Sequence, residues 1–313
     1  EMKLGHIKNI KSRAPRFFEY KLEGDQIKNY PLYWLQVLLK RETNLRPYDP
    51  LLSKIVVDYP FPENPGYIKY LSLVLNQRGI YRLGIYALTQ MNFKKPEELN
   101  FEQLKIIYPL VYLLTIKKHS RDLDPSLILS LIRQESAFNE KALSSAGAKG
   151  LMQLLSSTAR NLDRQKARRL YHHDPNINLG VRYLSKMNSR FNGQIEKALS
   201  AYNAGYSKVR KWEKQYAHVD DPHLFLSLIP YRETRNYAIS IFRNIYWYRT
   251  LYPALRNKAE QSSLGMKLST IFNHHSSNQK KVSAVTYPEK IVKSIEYQTH
   301  PKKSSVTSET SGP

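Results

Sequence analysis

The stretch LSLIRQESAF, residues 129–138, places a carboxylate, Glu135, at the end of an apolar run. In a helix, Ile128, Leu131 and Ile132 precede it by seven, four and three positions and share its face. Burial of that face disfavours the charged carboxylate and raises its pKa, which suits a general acid near neutral pH. The alternative interpretation is that Glu135 ends the helix and turns to solvent, or pairs with a basic residue.

Small and polar residues follow this carboxylate in the segment SSAGAKGLMQL. Ala146, Gly147 and Ala148, then Gly150, would let the backbone approach a substrate closely. Gln153 can both donate and accept hydrogen bonds, and we expect it three residues into a new helix. The segment therefore reads as a loop and helix start that could hold a polar ligand.

Two later motifs add polar side chains near predicted helix ends. AYNAG places Tyr202 and Asn203 at the end of one helix, which Gly205 is predicted to cap. IPYRETRNY presents Tyr231 and Glu233 just after a proline. Taken singly, each motif is more typical of an ordinary helix boundary than of a site.

The elements that must position these residues are predicted to be helices. Apolar residues recur at three- and four-residue spacing from Pro31 onward, and no strand-like alternation of useful length appears. Asp124 is the expected N-cap of the helix that carries Glu135, with Pro125 in its first position. We predict a mainly α protein with a basic N-terminal arm, a helical layer, a catalytic domain and a basic, Ser/Lys-rich, disordered tail, at residues 1–30, 31–112, 113–255 and 256–313.

Composition limits the chemistry. The 313 residues contain no cysteine, which excludes disulfides, thiolate nucleophiles and cysteine-ligated metals. The formal net charge of +23 predicts attraction to polyanions, for which nucleic acid, anionic lipid and an acidic wall polymer are alternatives to a merely solvated basic surface. No apolar run is long enough for a membrane span, and the start of the chain lacks a signal-peptide core.

Together and in this order, the motifs IRQESAFN, SSAGAKGLMQL, NINLGVRYL, AYNAG and IPYRETRNY resemble one family. They are similar to the soluble lytic transglycosylases of bacterial cell walls, over about residues 110–250. The resemblance implies a lysozyme-like α-helical catalytic domain. The upstream helices resemble, by pattern alone, the helical layer that precedes the catalytic domain in larger members.

The resemblance also implies a reaction. Glu135 would protonate the glycosidic oxygen between N-acetylmuramic acid and N-acetylglucosamine, and then take the proton from the muramoyl C6 hydroxyl. That hydroxyl would close on C1 to give a 1,6-anhydro end without water, with the 2-acetamido group assisting in place of a second carboxylate. No cofactor or metal is implied. The implied substrate-binding residues are Ser144, Met152, Gln153, Tyr202, Asn203, Tyr231 and Glu233.

The chain departs from the family pattern at two places. Leu155 and Ser156 stand where Met-Pro is common, and Glu140 stands where proline is usual. A leucine has a volume and polarity close to those of methionine, so we expect altered affinity rather than lost catalysis. Next to Arg232 and Arg235, a buried Glu233 is expected to stay ionised, which suits an orienting role better than that of an acid.

Three other functions remain alternatives. A lysozyme-type hydrolase of the same fold would need a carboxylate that activates water, for which Asp163, Asp174 and Glu233 are candidates. A basic nucleic-acid-binding protein is less favoured, because lysines and arginines are scattered and no recognised nucleic-acid motif appears. A non-catalytic wall-binding scaffold is disfavoured by retention of the whole motif set. The expected partner is peptidoglycan, and electrostatic contact with an anionic wall or membrane is also expected. The expected location is the bacterial envelope or periplasm, with a signal peptide that was removed or omitted.

Overall fold

The computed structural model of the chain describes residues 51–53, 56, 65–94 and 99–255. Within those residues the regular elements are helices, and β structure is limited to isolated bridges, Leu143 with Lys149 and Lys149 with Leu154. The predicted mainly α class is confirmed. The arm at 1–30, the helix expected at 31–41 and the tail at 256–313 fall outside the described residues.

The α-helices are numbered in chain order over the described residues. They are α1 Pro65–Gln77, α2 Tyr81–Lys94, α3 Phe101–Ile107, α4 Leu113–His119, α5 Pro125–Ser136, α6 Ser156–Leu162, α7 His173–Arg190, α8 Ile195–Ala204, α9 Tyr206–Gln215, α10 Pro222–Leu228 and α11 Arg232–Leu251, with 3-10 turns at Lys166–Arg169 and Pro253–Leu255.

Helices α1 to α3 form a layer that packs on the rest of the protein through α3 and α11. Two tyrosines of the C-terminal part fasten this contact. Tyr248 donates to the Pro109 carbonyl at 3.2 Å, and Tyr252 donates to the Tyr108 carbonyl at 3.0 Å. The layer and the helices that follow therefore share one continuous core.

Helix α5 is the central element, and nearly all of its residues are buried. It packs along α11, while α7 and α8 pack on each other and α8 also contacts α11. The predicted start is confirmed, since Asp124 accepts from the Ser126 amide at 2.8 Å and Pro125 occupies the first turn. A helix buried almost all round is held firmly by its neighbours, which fixes the position of its last turn.

A buried arginine near the end of α5 strengthens this hold. Arg133 donates from Nε to the Ile107 carbonyl at 2.8 Å and from Nη1 to Asn244 Oδ1 at 3.1 Å. Its guanidinium also lies over the Tyr108 ring, 4.5 Å from the centroid. One side chain therefore joins α3, α5 and α11 two residues before Glu135.

The other end of α5 is held by a buried ion pair. Asp124 Oδ2 accepts from Nε of Arg249 at 3.0 Å and also from Nη2, and it accepts from the Ser126 hydroxyl at 2.6 Å. Both charged side chains are at most 10% exposed. Two nitrogens of Arg249 converge on one carboxylate oxygen, so this charge-assisted pair holds α11 in place against α5.

Replacing Arg249 by lysine tests this pair. Arg249→Lys keeps the charge but supplies a single ammonium, so we expect the free energy of unfolding to fall by about 1.5–3 kcal/mol, the contribution of one charge-assisted hydrogen bond. Chemical denaturation measures it. Arg160→Lys, at an exposed arginine of α6, is the control and should change stability by less than about 0.5 kcal/mol. Equal losses in the two variants would contradict the assignment.

Two sequence expectations about helices were wrong. Gln153 was expected three residues into a helix, but α6 begins only at Ser156, and Gln153 lies in a turn with φ of 47°. Helix α10 was not predicted, although Asp221 caps it through the His223 and Leu224 amides in the same Asp-Pro pattern as α5. Among the described helices, none combines the length and apolarity that crossing a bilayer requires.

Candidate active site

Glu135 lies in the last turn of α5 and is half-buried, whereas its neighbours Gln134 and Ser136 are buried. The chain then reverses through Ala137 and Phe138, whose φ angles are 46° and 65°. Residues other than glycine adopt this left-handed region at a cost, and such residues concentrate at functional sites. The reversal ends the helix at once, so that Glu135 sits at the edge of the buried core.

A tyrosine on α11 holds the carboxylate of Glu135. The Tyr237 hydroxyl donates to Glu135 Oε1 at 2.5 Å, a short distance typical of a hydrogen bond to a charged oxygen. Tyr237 is 7% exposed. The contact orients Glu135 from the side of α11 and is the most direct link between the helix that carries the acid and its neighbours.

Two further tyrosines surround this pair. Tyr202, at the end of α8, packs its ring on Tyr183 of α7 at 5.1 Å and donates its hydroxyl to the Met152 carbonyl at 2.8 Å. Burial, and then the charge of Glu135, raise the pKa of Tyr202 and of Tyr237 well above the ordinary tyrosine value. Both phenols therefore stay protonated and act as donors over the whole neutral range.

The loop between α5 and α6 is folded on its own polar groups. Ser144 pairs its amide with the Ala148 carbonyl at 3.0 Å, and its hydroxyl accepts from the Ala148 amide at 3.0 Å. Ser136, next to Glu135, donates its hydroxyl to the Leu151 carbonyl at 2.8 Å and so ties the loop to α5. A hydroxyl that accepts one bond keeps its proton as a donor, so Ser144 can still contact a ligand.

Gln153 braces the same loop. Its side-chain nitrogen donates to the Ala142 carbonyl at 3.1 Å and to the Gly150 carbonyl at 2.9 Å. Both amide hydrogens are thus committed within the protein, and the amide oxygen is the group left to contact a ligand. The side chain is half-buried.

Asn176, a fully buried residue of α7, joins the loop to the rest of the site. Its Oδ1 accepts from the Met152 amide at 2.8 Å, and its Nδ2 donates to the carbonyls of Lys149 at 3.0 Å and Leu170 at 2.8 Å. Gly150 has φ of 75°, and a Cβ there would come within 2.4 Å of Asn176 Nδ2. The glycine is therefore required by both conformation and space.

Met152 has no exposed surface, so it does not present its side chain to a ligand in this structure. It packs against Gly180, where an added Cβ would lie 2.3 Å from the methionine sulfur. Its backbone amide and carbonyl bind Asn176 and Tyr202. These contacts place Met152 beneath the site loop, where it supports the loop.

Asn203 and Tyr231 lie where α8, α9 and α11 meet. Asn203 Oδ1 accepts from the Thr234 hydroxyl at 2.8 Å, which ties the end of α8 to the start of α11. Tyr231 is 48% exposed, with its ring edge-on to Trp212 at 5.2 Å and Lys208 Nζ 4.7 Å from its centroid. An exposed aromatic ring on a rigid support suits contact with a sugar face.

Glu233 is exposed in the first turn of α11, so the expectation of a buried acid was wrong. Its neighbours in this turn differ, since Arg232 is exposed and Thr234 is buried. Glu233 precedes Tyr237 by four residues and therefore lies on the same helix face, one turn from the phenol that holds Glu135.

The two other acids named for a water-activating role are held by basic residues away from this cluster. Asp174 bonds His119 and Lys118 at 3.0 Å each, and these bonds lower its pKa. Asp163 accepts from the Gln165 and Lys166 amides at 3.0 Å, and the Lys166 bond is the main cause of its lowered pKa. A carboxylate with a lowered pKa is a weak base.

Sequence reasoning missed Tyr237, Tyr183 and Asn176. All three belong to motifs quoted above, Tyr237 to IPYRETRNY and Asn176 and Tyr183 to NINLGVRYL. The four-residue spacing from Glu233 could have placed Tyr237 on the site face. For Asn176 the neighbouring residues give no indication of its bonds to Met152, Lys149 and Leu170.

Residues 113–225 match the model of the transglycosylase SLT domain family. The soluble lytic murein transglycosylase of Salmonella typhimurium is 34% identical over 158 residues, which are 48% of this chain and 24% of that protein. Its Escherichia coli K12 counterpart is 31% identical over the same shares. A membrane-bound lytic murein transglycosylase F of Desulfosudis oleivorans is 35% identical over 127 residues, 36% of this chain and 27% of that protein. The chain thus spans about a quarter of the length of these relatives.

Among solved structures, the 70 kDa soluble lytic transglycosylase of Escherichia coli superposes with a TM-score of 0.59 at 24% identity, over 77% of this chain and 39% of that one. A complex of the 70 kDa soluble lytic transglycosylase with bulgecin A gives 0.56 at 24% identity, over 76% and 37%. This chain therefore has the helical fold of that protein, and the lysozyme-like prediction is confirmed.

Proposed function

We propose that this chain, whose residues 113–225 form a transglycosylase SLT domain, is a lytic transglycosylase that cleaves peptidoglycan between N-acetylmuramic acid and N-acetylglucosamine. The observation that carries the proposal is the Glu135 carboxylate, half-buried at the end of α5 and bonded at 2.5 Å by the Tyr237 phenol. A carboxyl group in this position lies at the edge of the core and can still be reached by a ligand, as a proton donor to a substrate must be.

The proposed reaction uses Glu135 twice. Protonated Glu135 gives its proton to the glycosidic oxygen as the bond to the muramoyl C1 breaks. The resulting carboxylate then takes the proton of the C6 hydroxyl as that oxygen bonds to C1, which closes the 1,6-anhydro ring and restores the acid. The substrate's 2-acetamido group stabilises C1 between the two steps, so no second carboxylate and no water are needed.

Other residues support this chemistry in proposed roles. We assign the Ser144 hydroxyl, the Gln153 amide oxygen and the Tyr231 ring to sugar contact, since each retains a free polar group or an exposed face. Glu233 is assigned to the cleft margin, where its exposure allows a hydrogen bond to a sugar hydroxyl. Met152, Tyr202 and Asn203 are assigned to positioning, because their polar groups already bind within the protein.

Product analysis tests the proposal. We expect the purified enzyme to digest peptidoglycan into fragments that end in 1,6-anhydro-N-acetylmuramic acid. Mass spectrometry distinguishes these fragments from fragments with reducing ends, which are heavier by one water. A lysozyme-type hydrolase would give reducing ends that incorporate labelled oxygen from water. Predominant reducing ends would overturn the transglycosylase assignment, and the lowered pKa values of Asp163 and Asp174 make them poor candidates for the base such a hydrolase needs.

The proposed site of action is the bacterial cell envelope, because peptidoglycan lies there. The relatives named above include a soluble and a membrane-bound lytic murein transglycosylase, and this chain is similar to both. The charge of +23 supports electrostatic attraction to an acidic wall or membrane surface.

Tyr237→Phe should lower activity about ten- to a hundredfold, since a hydrogen bond to a charged group contributes about 1.5–3 kcal/mol. The phenol stabilises the ionised form of Glu135, so its loss favours the protonated form. The alkaline limb of the pH–activity profile should therefore move to higher pH. Turnover of glycan strands measured between pH 4 and 9 tests both effects.

The matched control for this change is Tyr252→Phe, which removes a phenol hydrogen bond to a backbone carbonyl in another part of the core. It should leave the pH profile unchanged. A Tyr237→Phe enzyme with normal turnover and an unshifted alkaline limb would remove Tyr237 from the catalytic arrangement.

Binding to intact sacculi should weaken with rising salt more steeply than cleavage of short uncharged glycans. The basic surface acts over a distance of about 8 Å at physiological ionic strength, so salt screens its attraction to wall carboxylates. Groups inside the cleft are shielded and respond less. Co-sedimentation measures how binding to sacculi depends on salt, and turnover measures how cleavage of short glycans depends on it. Equal salt dependence of the two would mean that the basic surface has no role in wall binding.

A further inference from the structure

Four arginines without acidic partners lie together on the segment between the site loop and α7. The segment RNLDRQKARR, residues 160–169, runs from α6 into the following 3-10 turn. In the described part of the chain, the guanidinium groups of these four residues make no ion pair or hydrogen bond, and all four side chains are exposed. We call them the arginine run: Arg160, Arg164, Arg168 and Arg169.

The one acid of the segment does not neutralise this charge. Asp163 accepts from two backbone amides and lies 3.8 Å from both Lys166 Nζ and Arg182 Nη1. Several basic residues elsewhere are paired, as Arg210 and Lys197 are with Glu213. Four unpaired, exposed positive charges within ten residues attract anions, so the arginine run is a candidate surface for an anionic partner.

The position of the run relates it to the candidate active site. It starts six residues after Leu154, whose backbone pairs with Lys149 of the site loop. It ends one residue before Leu170, whose carbonyl accepts from Asn176. Helix α6 and the 3-10 turn pack on each other and on α7, the helix whose Asn176 also binds Met152 and Lys149 of the loop that carries Ser144 and Gln153.

We propose that the arginine run binds the carboxylates of the peptide stems that project from a glycan strand lying in the active site. This inference rests on the proposed function, which places a peptidoglycan strand beside the loop. The sugars of an intact strand are uncharged, so its carboxylates lie on the peptides. A guanidinium binds a planar carboxylate through two parallel hydrogen bonds, a geometry that a lysine ammonium does not provide.

The consequence is a preference for strands that carry acidic stems. Exposed charge pairs are individually weak, so the effect depends on several arginines acting together along one strand. The run then retains the polymer next to Glu135 without taking part in bond cleavage. It adds affinity for the substrate and leaves turnover of short, uncharged glycans unchanged.

The test measures binding in a Glu135→Gln background, so that cleavage does not alter the polymer. Two probes are compared by co-sedimentation: sacculi free of phosphate polymers, and the same sacculi with carboxyl groups converted to amides by carbodiimide and ammonia. The test variant replaces all four arginines by glutamine. The charge-matched control replaces four exposed lysines away from the run by glutamine: Lys117, Lys186, Lys211 and Lys214.

The arginine variant should lose roughly tenfold in affinity for untreated sacculi, as expected for four weak exposed pairs, and nothing for amidated sacculi. The control should lose less than roughly threefold, by the same weakness of single surface charges. A second variant with all four arginines changed to lysine should behave like the glutamine variant if the forked geometry matters. It also keeps the test decisive should the glutamine variant fold poorly, since it preserves the net charge.

Several results would overturn the inference. These are equal losses in the arginine and lysine-control variants, full affinity in the lysine replacement, or equal loss on amidated sacculi. Arginine-dependent binding confined to vesicles of phosphatidylglycerol would assign the run to a membrane surface instead. Cleavage of glycans by the wild-type enzyme is measured separately. Absence of cleavage would contradict the proposed function, whereas binding that does not depend on the arginines would contradict only this inference.

Discussion

Glu135→Gln should reduce the cleavage of peptidoglycan by several orders of magnitude while the protein stays folded. One group serves as both acid and base in the proposed reaction, so its loss should exceed the roughly 10²–10⁴-fold effect of an ordinary general acid. Glutamine has the same shape, and its oxygen can accept the Tyr237 hydrogen bond at the position of Oε1. The packing at the end of α5 is therefore preserved.

The measurement is the release of soluble muropeptides from sacculi, with thermal unfolding as the check on folding. Glu213→Gln is the matched control, because Glu213 is a partly buried carboxylate paired with Lys197 and Arg210 on α8 and α9. It should retain nearly full activity. A folded Glu135→Gln enzyme with activity within tenfold of wild type would end the assignment of Glu135 as the acid.

Glu233→Gln separates the two carboxylates of the site. Glu233 is exposed on the same face of α11 as Tyr237, one turn away. If it only contacts sugar hydroxyls, the amide can replace it with a modest rise in KM, whereas a role as the base that activates water would abolish turnover. The comparison thus tests the hydrolase alternative at the remaining carboxylate that was named for a water-activating role.

The parts of the site that the sequence predicted well depend on local signals. Asp124 before Pro125 and Gly205 after AYNA define helix ends through interactions within a few residues, and both were found where expected. The apolar spacing before Glu135 likewise placed the carboxylate on a helix that is buried along its length. Local capping and periodicity are encoded in neighbouring residues, so they can be read without a structure.

The errors arise where distant residues decide the outcome. Gln153 looked like part of a helix because GLMQLL is apolar and favours helix, yet it adopts φ of 47° and donates to the carbonyls of Ala142 and Gly150. The loop is held by Asn176 and Ser136, and their hydrogen bonds outweigh the local preference. Glu233 was expected to be buried, and whether a first turn faces solvent depends on the surrounding packing.

The same reasoning explains why Asn176 is expected to be a sensitive position. It is completely buried, and its three hydrogen bonds fix which atom is the acceptor and which the donor. Two carbonyl oxygens, of Lys149 and Leu170, face its Nδ2. An acceptor in that place would meet two other acceptors without solvent to separate them, which is costly in a buried site.

Asn176→Asp changes one NH2 group to oxygen with almost no change in shape. We expect the free energy of unfolding to fall by about 3–5 kcal/mol at pH 7, the cost of a buried charge without a partner. Activity should fall with it, because Asn176 holds the Met152 amide and the Lys149 carbonyl of the site loop, together with the Leu170 carbonyl beyond α6. Denaturation curves and turnover at a temperature where the variant remains folded measure the two losses separately.

The loss should depend on pH in a defined direction. Burial and the facing carbonyls disfavour the ionised form of the introduced carboxyl group, so its pKa in the folded state lies above the unfolded value of about 3.9. The protonated form can donate one of the two lost hydrogen bonds, so the variant is closest to wild type below about pH 4. As pH rises from there to the folded-state pKa, the loss in the free energy of unfolding grows by up to about 1.4 kcal/mol per pH unit, and it is constant above that pKa.

Asn161→Asp, the same change at an exposed position of α6, should alter stability by less than about 0.5 kcal/mol. A deficit in Asn176→Asp that is small, or that does not grow with pH relative to this control, would mean that Asn176 does not hold the loop.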